Sequence, residues 1–475
     1  MARKIYRIDE FIGIDQSMGE NGMSPAYSPD ACNMDTSDGE LSVSKGYTRY
    51  IAAPVPGEGP IRRMHFFHTA DGERIVVLAG NELYACINGE WGLIYTFTGG
   101  LLQGKVDFEE ARIGGVDYLL IGSGEQAIVK YNGTAATLFG SADTHSDAHV
   151  RYLAMYRNRL FSAGDSENPN RLYWSKLPGG DRTIEDWGEE VSSVNVSGGH
   201  AEIGESAGDP IVGIATLSNQ LLIFKKRSIY RLIGDKPSNF TVERVDGDLE
   251  TTAYTSLVSS GDMLYFMTKG GLCRFNGVTA APMADARRIK KTLLSASVKD
   301  TKGAVARGKL YFTIREDENS DAIVEYDMQR RAYMLRRGFG AADIAAWDGR
   351  LYLINSARYV YLFNEGASYD GAPIEARWRT PETDLFDKSG VKAMRSLCFR
   401  GHSENSETAL IAEVSIGGGK TRSRVLLPLE QSDVVEVPLK NEGRTFSLTL
   451  SNEGGGSFAL TGGAELAFET WRRVE

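Results

Sequence analysis

Proline, histidine and paired cysteine are all scarce in this chain, and each scarcity excludes something. There are 14 prolines against 53 glycines, so stiff polyproline linkers are out and many tight turns are in. The four cysteines (Cys32, Cys86, Cys273 and Cys398) lie far apart with no CxxC pair. That pattern is neither a disulfide framework nor a zinc site, and it fits folding in a reducing cytoplasm. No apolar run approaches the ~18 residues a membrane helix needs, and the charged opening Met1-ARKIYRIDEF has no apolar core for export. A basic tail or stripe is also missing. The formal net charge is −10 and is spread along the chain, which argues against tight binding of nucleic acid through phosphate neutralisation.

Helical periodicity is nearly absent. The one helix candidate is Ala284–Ala296, where apolar and basic residues fall at i, i+3, i+4 spacing. What fills the 475 residues instead is a repeat. A short hydrophobic strand recurs as Arg74-IVVLAG, Asp117-YLLIG, Arg159-LFSAG, Gln220-LLIFK, Met263-LYFMT, Lys309-LYFTI and Arg350-LYLIN. Aligning Val76, Tyr118, Leu160, Leu221, Leu264, Leu310 and Leu351 gives gaps of 42, 42, 61, 43, 46 and 41. Partner strands follow at a nearly fixed offset: Glu82-LYACING, Gln126-AIVKYNG, Arg171-LYWSK, Ser228-IYRLIG, Gly271-LCRFNG, Ala322-IVEYD and Tyr359-VYLFNEG. Several end in Asn-Gly, which supplies the positive φ of a tight hairpin.

A period of ~40–45 residues with four strands per unit is the signature of a β-propeller. The expected fold is all-β: a seven-bladed β-propeller over 60–370, followed by a C-terminal β-sandwich over 371–475. The gap of 61 marks an insertion at about 178–209, expected to stand off the blades. Residues 1–59 read as an N-terminal arm whose stretch Gly39-ELSVSKGYTRYI supplies the missing strand of the last blade. Past Pro373 the period breaks into seven alternating strands, enough for a sandwich.

Chemistry is hard to find. The densest histidine cluster, Asp143-THSDAH, holds Asp143, His145, Asp147 and His149, groups that suit metal ligation but sit in an inter-blade loop. His65 and His68 lie three apart on a strand and face opposite sides, while His200 and His402 are isolated. No GxSxG elbow, HExxH pair or SxDxGxxW box is present, and Gly122-SGEQA joins two strands rather than opening a helix. No catalytic, cofactor-binding or metal residue is therefore assigned, and no enzyme is expected. The Leu-Tyr pairs at 83–84, 172–173, 264–265, 310–311 and 351–352 read as packing between blades. Arg287-Arg288, Lys290-Lys291, Arg330-Arg331 and Arg336-Arg337 form a basic cluster around the sixth repeat, either a docking surface or solvated charge.

Three stretches carry a family resemblance. Met23-SPAYSPDACNMDTSDGELSVSKGYTRY resembles the opening motif of the propeller proteins of tailed-phage tails and head–tail connectors. Tyr156-RNRLFSAGDSENPNRLYWSKLPGGDRTIEDW, continuing to Gly213-IATLSNQLLIFK, is similar to that family's central blade. Gly443-RTFSLTLSNEGGGSFALTGGAELAFETWRR looks like its terminal sandwich. The family includes packaged-DNA stabilisation and tail-nozzle proteins. The resemblance implies a virion structural protein, assembled in the host cytoplasm, that forms a homo-oligomeric ring, often of six copies. Its partners would be portal, adaptor and other tail proteins, with double-stranded DNA passing without specific binding and no membrane anchor. The chain departs from the family in lacking an extended fibre-docking region. The rival reading is a glycan- or receptor-binding module of a tail or cell surface. It would need aromatics at loop tips, and the Gly-rich loops after Ile416 and Ser451 carry almost none.

Overall fold

The computed structural model describes the chain except for residues 1–2, 38, 99–101, 103–104, 141–148, 205–208, 246–253, 319, 404–408, 418, 430 and 472–475. Seven antiparallel four-stranded sheets follow one another through the repeat. Their first strands are Ile61–Thr69, Asp107–Ile113, Tyr152–Tyr156, Ile211–Leu217, Val258–Ser260, Gly303–Ala306 and Asp343–Trp347, and they number sheets 1 to 7 below. Within each of sheets 1 to 6 the strands are added in chain order, each pairing with the one before it, and sheet 7 does the same for its first three strands. The LY-rich strands of the repeat occupy the second and third positions. Four of the hairpins between first and second strands turn on two residues that both have positive φ, as a type I′ turn requires: Gly114-Gly115, Arg157-Asn158, Arg307-Gly308 and Asp348-Gly349.

The sheets form a closed, propeller-like series because each shares a hydrophobic cluster with the next. Leu119 and Tyr131 of sheet 2 pack on Phe67 and Leu78 of sheet 1. Phe224 of sheet 4 packs with Phe266 and Phe275 of sheet 5. The series returns on itself where Tyr352 and Ile354 of sheet 7 pack with Phe66 and Val77 of sheet 1. Burying one aromatic or aliphatic side chain in such a seam contributes about 1.5–3 kcal/mol, so the seams dominate the stability of the ring. Tyr84, Tyr173, Tyr311 and Tyr352 of the Leu-Tyr pairs are buried in these seams; Tyr265 is half-buried.

The fourth strand of sheet 7 is Tyr47–Arg49, which pairs antiparallel with Val360–Phe363. The single strand expected over 39–51 is in fact divided. Leu41–Val43 pairs instead with Ala459 and Leu460, because Leu41 is fully buried in the core of the C-terminal sheets. The chain crosses between the two at Gly46, where a Cβ would stand 2.0 Å from the Ser368 carbonyl oxygen. Tyr47 then stacks on Tyr369 at 5.0 Å, which fixes the closing strand in place.

Two further sheets hold the C-terminal residues and face each other across Trp378, Leu397, Leu410, Val414, Leu448, Leu460 and Leu466. One runs Asp433–Pro438, Val391–Ser403, Phe458–Trp471, Leu41–Val43, Met34–Asp35, with Lys4–Ile8 also paired to Phe458–Trp471. The other runs Gly419–Leu426, Ala409–Ile416, Phe446–Asn452, Arg377–Arg379, Asp30–Cys32. Residues 4–43 thus supply strands to both C-terminal sheets. Asn33, in the left-handed region at φ 54, is the joint. Its amide donates to the carbonyls of Arg337 (3.0 Å) and Glu375 (2.7 Å) and accepts from the Arg337 N–H and the Tyr369 hydroxyl. One side chain therefore ties the N-terminal segment, sheet 6 and the C-terminal sheets together.

The insertion does not stand off. Ile184 and Trp187 are buried in the seam between sheets 2 and 3, and Lys130 of sheet 2 pairs with Glu185 at 2.7 Å. Fully buried Arg159 donates to the carbonyls of Ser175, Asn195 and Ser197 and so clamps the loop from beneath. With no carboxylate beside it, burial draws its pKa down to about 10. The outer strand of sheet 3, Gly199–Glu202, is itself part of this segment. The helix expected over Ala284–Ala296 is a 3₁₀ turn, Ala286–Ile289, running into a short α-helix, Lys290–Ser295.

Candidate functional site: the axis of the ring

The first strand of each sheet has a neighbour on one side only, so half of its backbone N–H and C=O groups point away from its own sheet. Unpaired edges of this kind need partners when buried. Carboxylates from the adjacent sheet supply them. Asp107 and Glu109, two apart on one side of their strand, accept from the N–H groups of Leu153 (3.1 Å) and Met155 (2.7 Å) in sheet 3. Asp343, first residue of the sheet 7 strand, accepts from Met64 N–H of sheet 1 at 2.7 Å. Carbonyls are answered by side-chain donors: Thr216 Oγ1 to Met155 O (3.1 Å) and Thr255 Oγ1 to Thr301 O (2.5 Å).

Three side chains go further and reach past the adjacent sheet. Tyr254, from the turn between sheets 4 and 5, donates its hydroxyl to Asp107 of sheet 2 at 2.5 Å. It fits because Gly213 stands beside it; a Cβ there would fall 1.6 Å from the Tyr254 ring. Tyr152 of sheet 3 packs edge-on against the same ring at 4.8 Å. Lys302, leading into sheet 6, donates to Arg62 O of sheet 1 at 3.3 Å, and Lys105 donates to Lys299 O at 3.3 Å.

A cavity of about 210 Å³ lies among Arg63, Asp107, Glu109, Thr216 and Tyr254. Its groups are desolvated, and their titration shifts accordingly. Burial pushes the Asp107 carboxyl up, against the hydrogen bonds that favour its charge. Burial likewise lifts Glu109 to about 8, so that at neutral pH it is mostly protonated. The Tyr254 hydroxyl is raised well above its usual value by burial and by the Asp107 charge, so it stays a donor. Burial lowers Lys302, and lowers Lys105 to about 8. What the arrangement does chemically is hold protons and bridge sheets: each carboxylate satisfies backbone donors of a neighbour.

These residues are missed by motif reading. The first strands Ile211–Leu217 and Ala341–Trp347 read as small and apolar, and their interiors are; the acids stand at strand starts. The available signal was the repeated Asp before an apolar residue, Asp107-Phe108 and Asp343-Ile344. Of the histidines, His65 meets Glu110 at 2.7 Å, His68 stacks on Trp347, His200 lies near Tyr173 and His402 bonds Ser432. They are not brought together. Asp143, His145 and Asp147 lie outside the described residues, and His149 is exposed. Among the described residues no group of three or more His, Cys, Asp or Glu is placed to hold a metal ion.

The basic cluster around the sixth repeat is split. Arg336 is buried against Glu325 at 2.8 Å, with Lys309 on the same carboxylate at 2.6 Å and Asp35 beside it. Arg337 pairs with Glu316, Arg330 donates to Thr36 and Phe11, and Arg288 meets Asp15 at 3.4 Å and the Tyr27 ring. Arg288 and Arg330 therefore dock the N-terminal segment of the same chain, while Arg336 and Arg337 pair with acids of the sixth repeat.

No family model and no curated protein matches this sequence. Solved structures similar to it include the extracellular domain of a one component system of B. thetaiotaomicron, at 10% identity and TM-score 0.45. That match covers 89% of this chain and 62% of that one. The WD40 domain of Neurospora crassa Pan2 is similar at 12% identity and TM-score 0.42, covering 70% and 96% respectively. BamB of Moraxella catarrhalis stands at 9% and 0.36, covering 67% and 97%. None of the three is a phage protein. At these scores the likenesses carry no function, and the architecture rests on the strand pairing itself.

Proposed function

We propose that this chain is a structural subunit of a phage virion: a seven-bladed propeller joined to a C-terminal sandwich, assembled in a homo-oligomeric ring at the head–tail connector or tail. The reading rests first on the three phage-like stretches. The observation that favours ring assembly is where apolar surface lies. The two most exposed large apolar side chains, Val191 and Phe386 (104% and 91% exposed), fall in the insertion and in the C-terminal part, outside the seven repeats. Val194, Leu426 and Val434 join them there. Exposed apolar residues also occur within the repeats, Val278 and Leu294 among them, so what suits contacts between copies is the near-complete exposure of Val191 and Phe386.

The axial bridges refine the role. Because Tyr254 and Asp107 join across the axis of each copy, packaged DNA would pass between copies arranged around the tail axis, never through a propeller. Closed rotational symmetry is what a tail axis imposes on such subunits. The test is cryo-EM of intact particles together with Val191→Asp and Phe386→Asp chains. A ring of density centred around the tail axis, and variants that fold but fail to enter particles, are the expected results. Density off the axis, as in a peripheral fibre, would overturn the conduit role.

A further inference from the structure

The part of the basic cluster that the N-terminal segment leaves unused forms a pocket of its own. Arg274 of sheet 5, Arg287 of the 3₁₀ turn and Arg331 of the sheet 6 hairpin line one open cavity of about 560 Å³. All three are exposed, and none makes an ion pair or side-chain hydrogen bond to another described residue. Two acids share the lining, Asp285 hydrogen-bonded through one of its oxygens only. Asp15 takes the N–H and hydroxyl of Ser17 and faces Arg288, while Asp285 accepts from the Tyr326 hydroxyl at 2.8 Å. Three arginines from three separate elements thus line one space together with Arg288, four cationic groups against the two carboxylates of Asp15 and Asp285.

Like charges held together in this way repel, and a chain that is acidic overall has abundant carboxylates with which to pair them. Guanidinium is the group that matches phosphate oxygens two at a time, and its planar fork gives direction as well as charge. The cavity lies within the ~300–1,000 Å³ range of small-ligand sites. Met18 and Met283 give it an apolar wall, against which a flat or aliphatic part of a ligand can rest.

We propose that this pocket binds a ligand carrying two or more phosphate groups, held by Arg274, Arg287 and Arg331. The site is separate from the axial cluster and does not depend on the virion reading. Two sources supply that chemistry: a free polyphosphate or nucleotide, and the phosphodiester backbone of a nucleic acid.

The experiment is calorimetric titration of the full chain with sodium tripolyphosphate at low and at physiological salt. Saturable binding at one site per chain is expected, weakening as salt rises. Arg274→Gln, Arg287→Gln and Arg331→Gln should each weaken it about tenfold or more, with unchanged melting temperatures since the side chains are exposed. Arg331→Lys should retain part of the affinity by keeping the charge while losing the fork. A short DNA duplex added in competition separates the sources: displacement assigns the backbone, and lack of displacement assigns a free polyphosphate. The proposal is overturned if tripolyphosphate gives no saturable heat, or if the Arg287→Gln/Arg331→Gln double variant binds it as the parent does.

Discussion

The hydrogen bond between Tyr254 and Asp107 can be weighed by a double-mutant cycle. Asp107 accepts from three donors: Phe108 N–H at 3.1 Å, Leu153 N–H at 3.1 Å and the Tyr254 hydroxyl at 2.5 Å. Asp107→Ala leaves the Leu153 N–H buried without this acceptor and the Tyr254 hydroxyl with only the longer bond to the Ile214 carbonyl at 3.3 Å, so a loss of about 1–4 kcal/mol is expected. Tyr254→Phe removes one donor and strands nothing, since two backbone N–H groups remain on the carboxylate; about 1–2 kcal/mol is expected. In the double variant that weakly held hydroxyl is gone. The two losses should therefore fall short of additivity by about 1–3 kcal/mol. The assay is urea unfolding followed by tryptophan fluorescence, with far-UV circular dichroism to verify that strand content is kept. Additivity within about 0.5 kcal/mol would mean that the two groups do not interact across the axis, and the bridge would be refuted.

Other consequences follow from buried charge. Folded Glu109 keeps its proton up to about pH 8, whereas the unfolded chain releases it near its ordinary value of 4.5. Its contribution is therefore full below pH 4.5 and is lost as pH rises through 8, with a slope of at most about 1.4 kcal/mol per pH unit. Glu109→Gln should flatten that slope in urea midpoints taken at pH 5, 7 and 9; parallel profiles would contradict the assignment. Asp35 behaves in the opposite sense. Burial opposes its charge, but Arg336, Lys309 and Ser37 hold it at about 2, so its stabilisation fades as pH falls from 3.8 toward 2, and Asp35→Asn should lessen acid sensitivity. Glu325→Gln leaves Arg336 buried beside a neutral group and should cost about 3–5 kcal/mol; a variant as stable as the parent would show that the ion pair is dispensable. Asn33→Ala should lower the melting temperature and open the linker near Tyr369 to protease, and an unchanged digestion pattern would count against the joint.

The repeat was legible because, the closing strand Tyr47–Arg49 apart, the strands of the seven sheets pair with their neighbours in the chain. Hairpins written as Leu-Tyr strands with polar turns announce themselves at a regular spacing, and each seam is made by the apolar runs of the next repeat. The C-terminal strands were legible as strands, but their partners were not. Lys4–Ile8 pairs with Phe458–Trp471 and Asp30–Cys32 with Arg377–Arg379, and no periodicity encodes which distant segment completes a sheet. Leu41 is the instructive residue: it reads as part of the closing strand, yet its burial belongs to the other core. The axial acids were hidden for another reason. Asp107, Glu109 and Asp343 are three among 63 acidic residues, and what distinguishes them is the free backbone edge of a neighbouring sheet. The paired arginines behaved likewise, since Arg336 and Arg331 look alike in sequence and differ only in whether Glu325 stands within reach.

The pairing of Lys4–Ile8 with Phe458–Trp471 also governs how the protein comes into being. During synthesis the first strand emerges roughly 450 residues before its partner. At ~5–20 residues per second it waits on the order of 20–90 s with its edge open. Tyr47–Arg49 waits almost as long for Val360–Phe363. Sheets 1 to 6 can form strand by strand as they emerge, but the ring cannot close until Val360–Phe363 arrives, and the C-terminal pair of sheets cannot lock until Phe458–Trp471 does. Folding of this chain is therefore a clasp fastened last, and a nascent chain arrested before residue 458 would carry an unlatched N-terminal segment available to any passing strand.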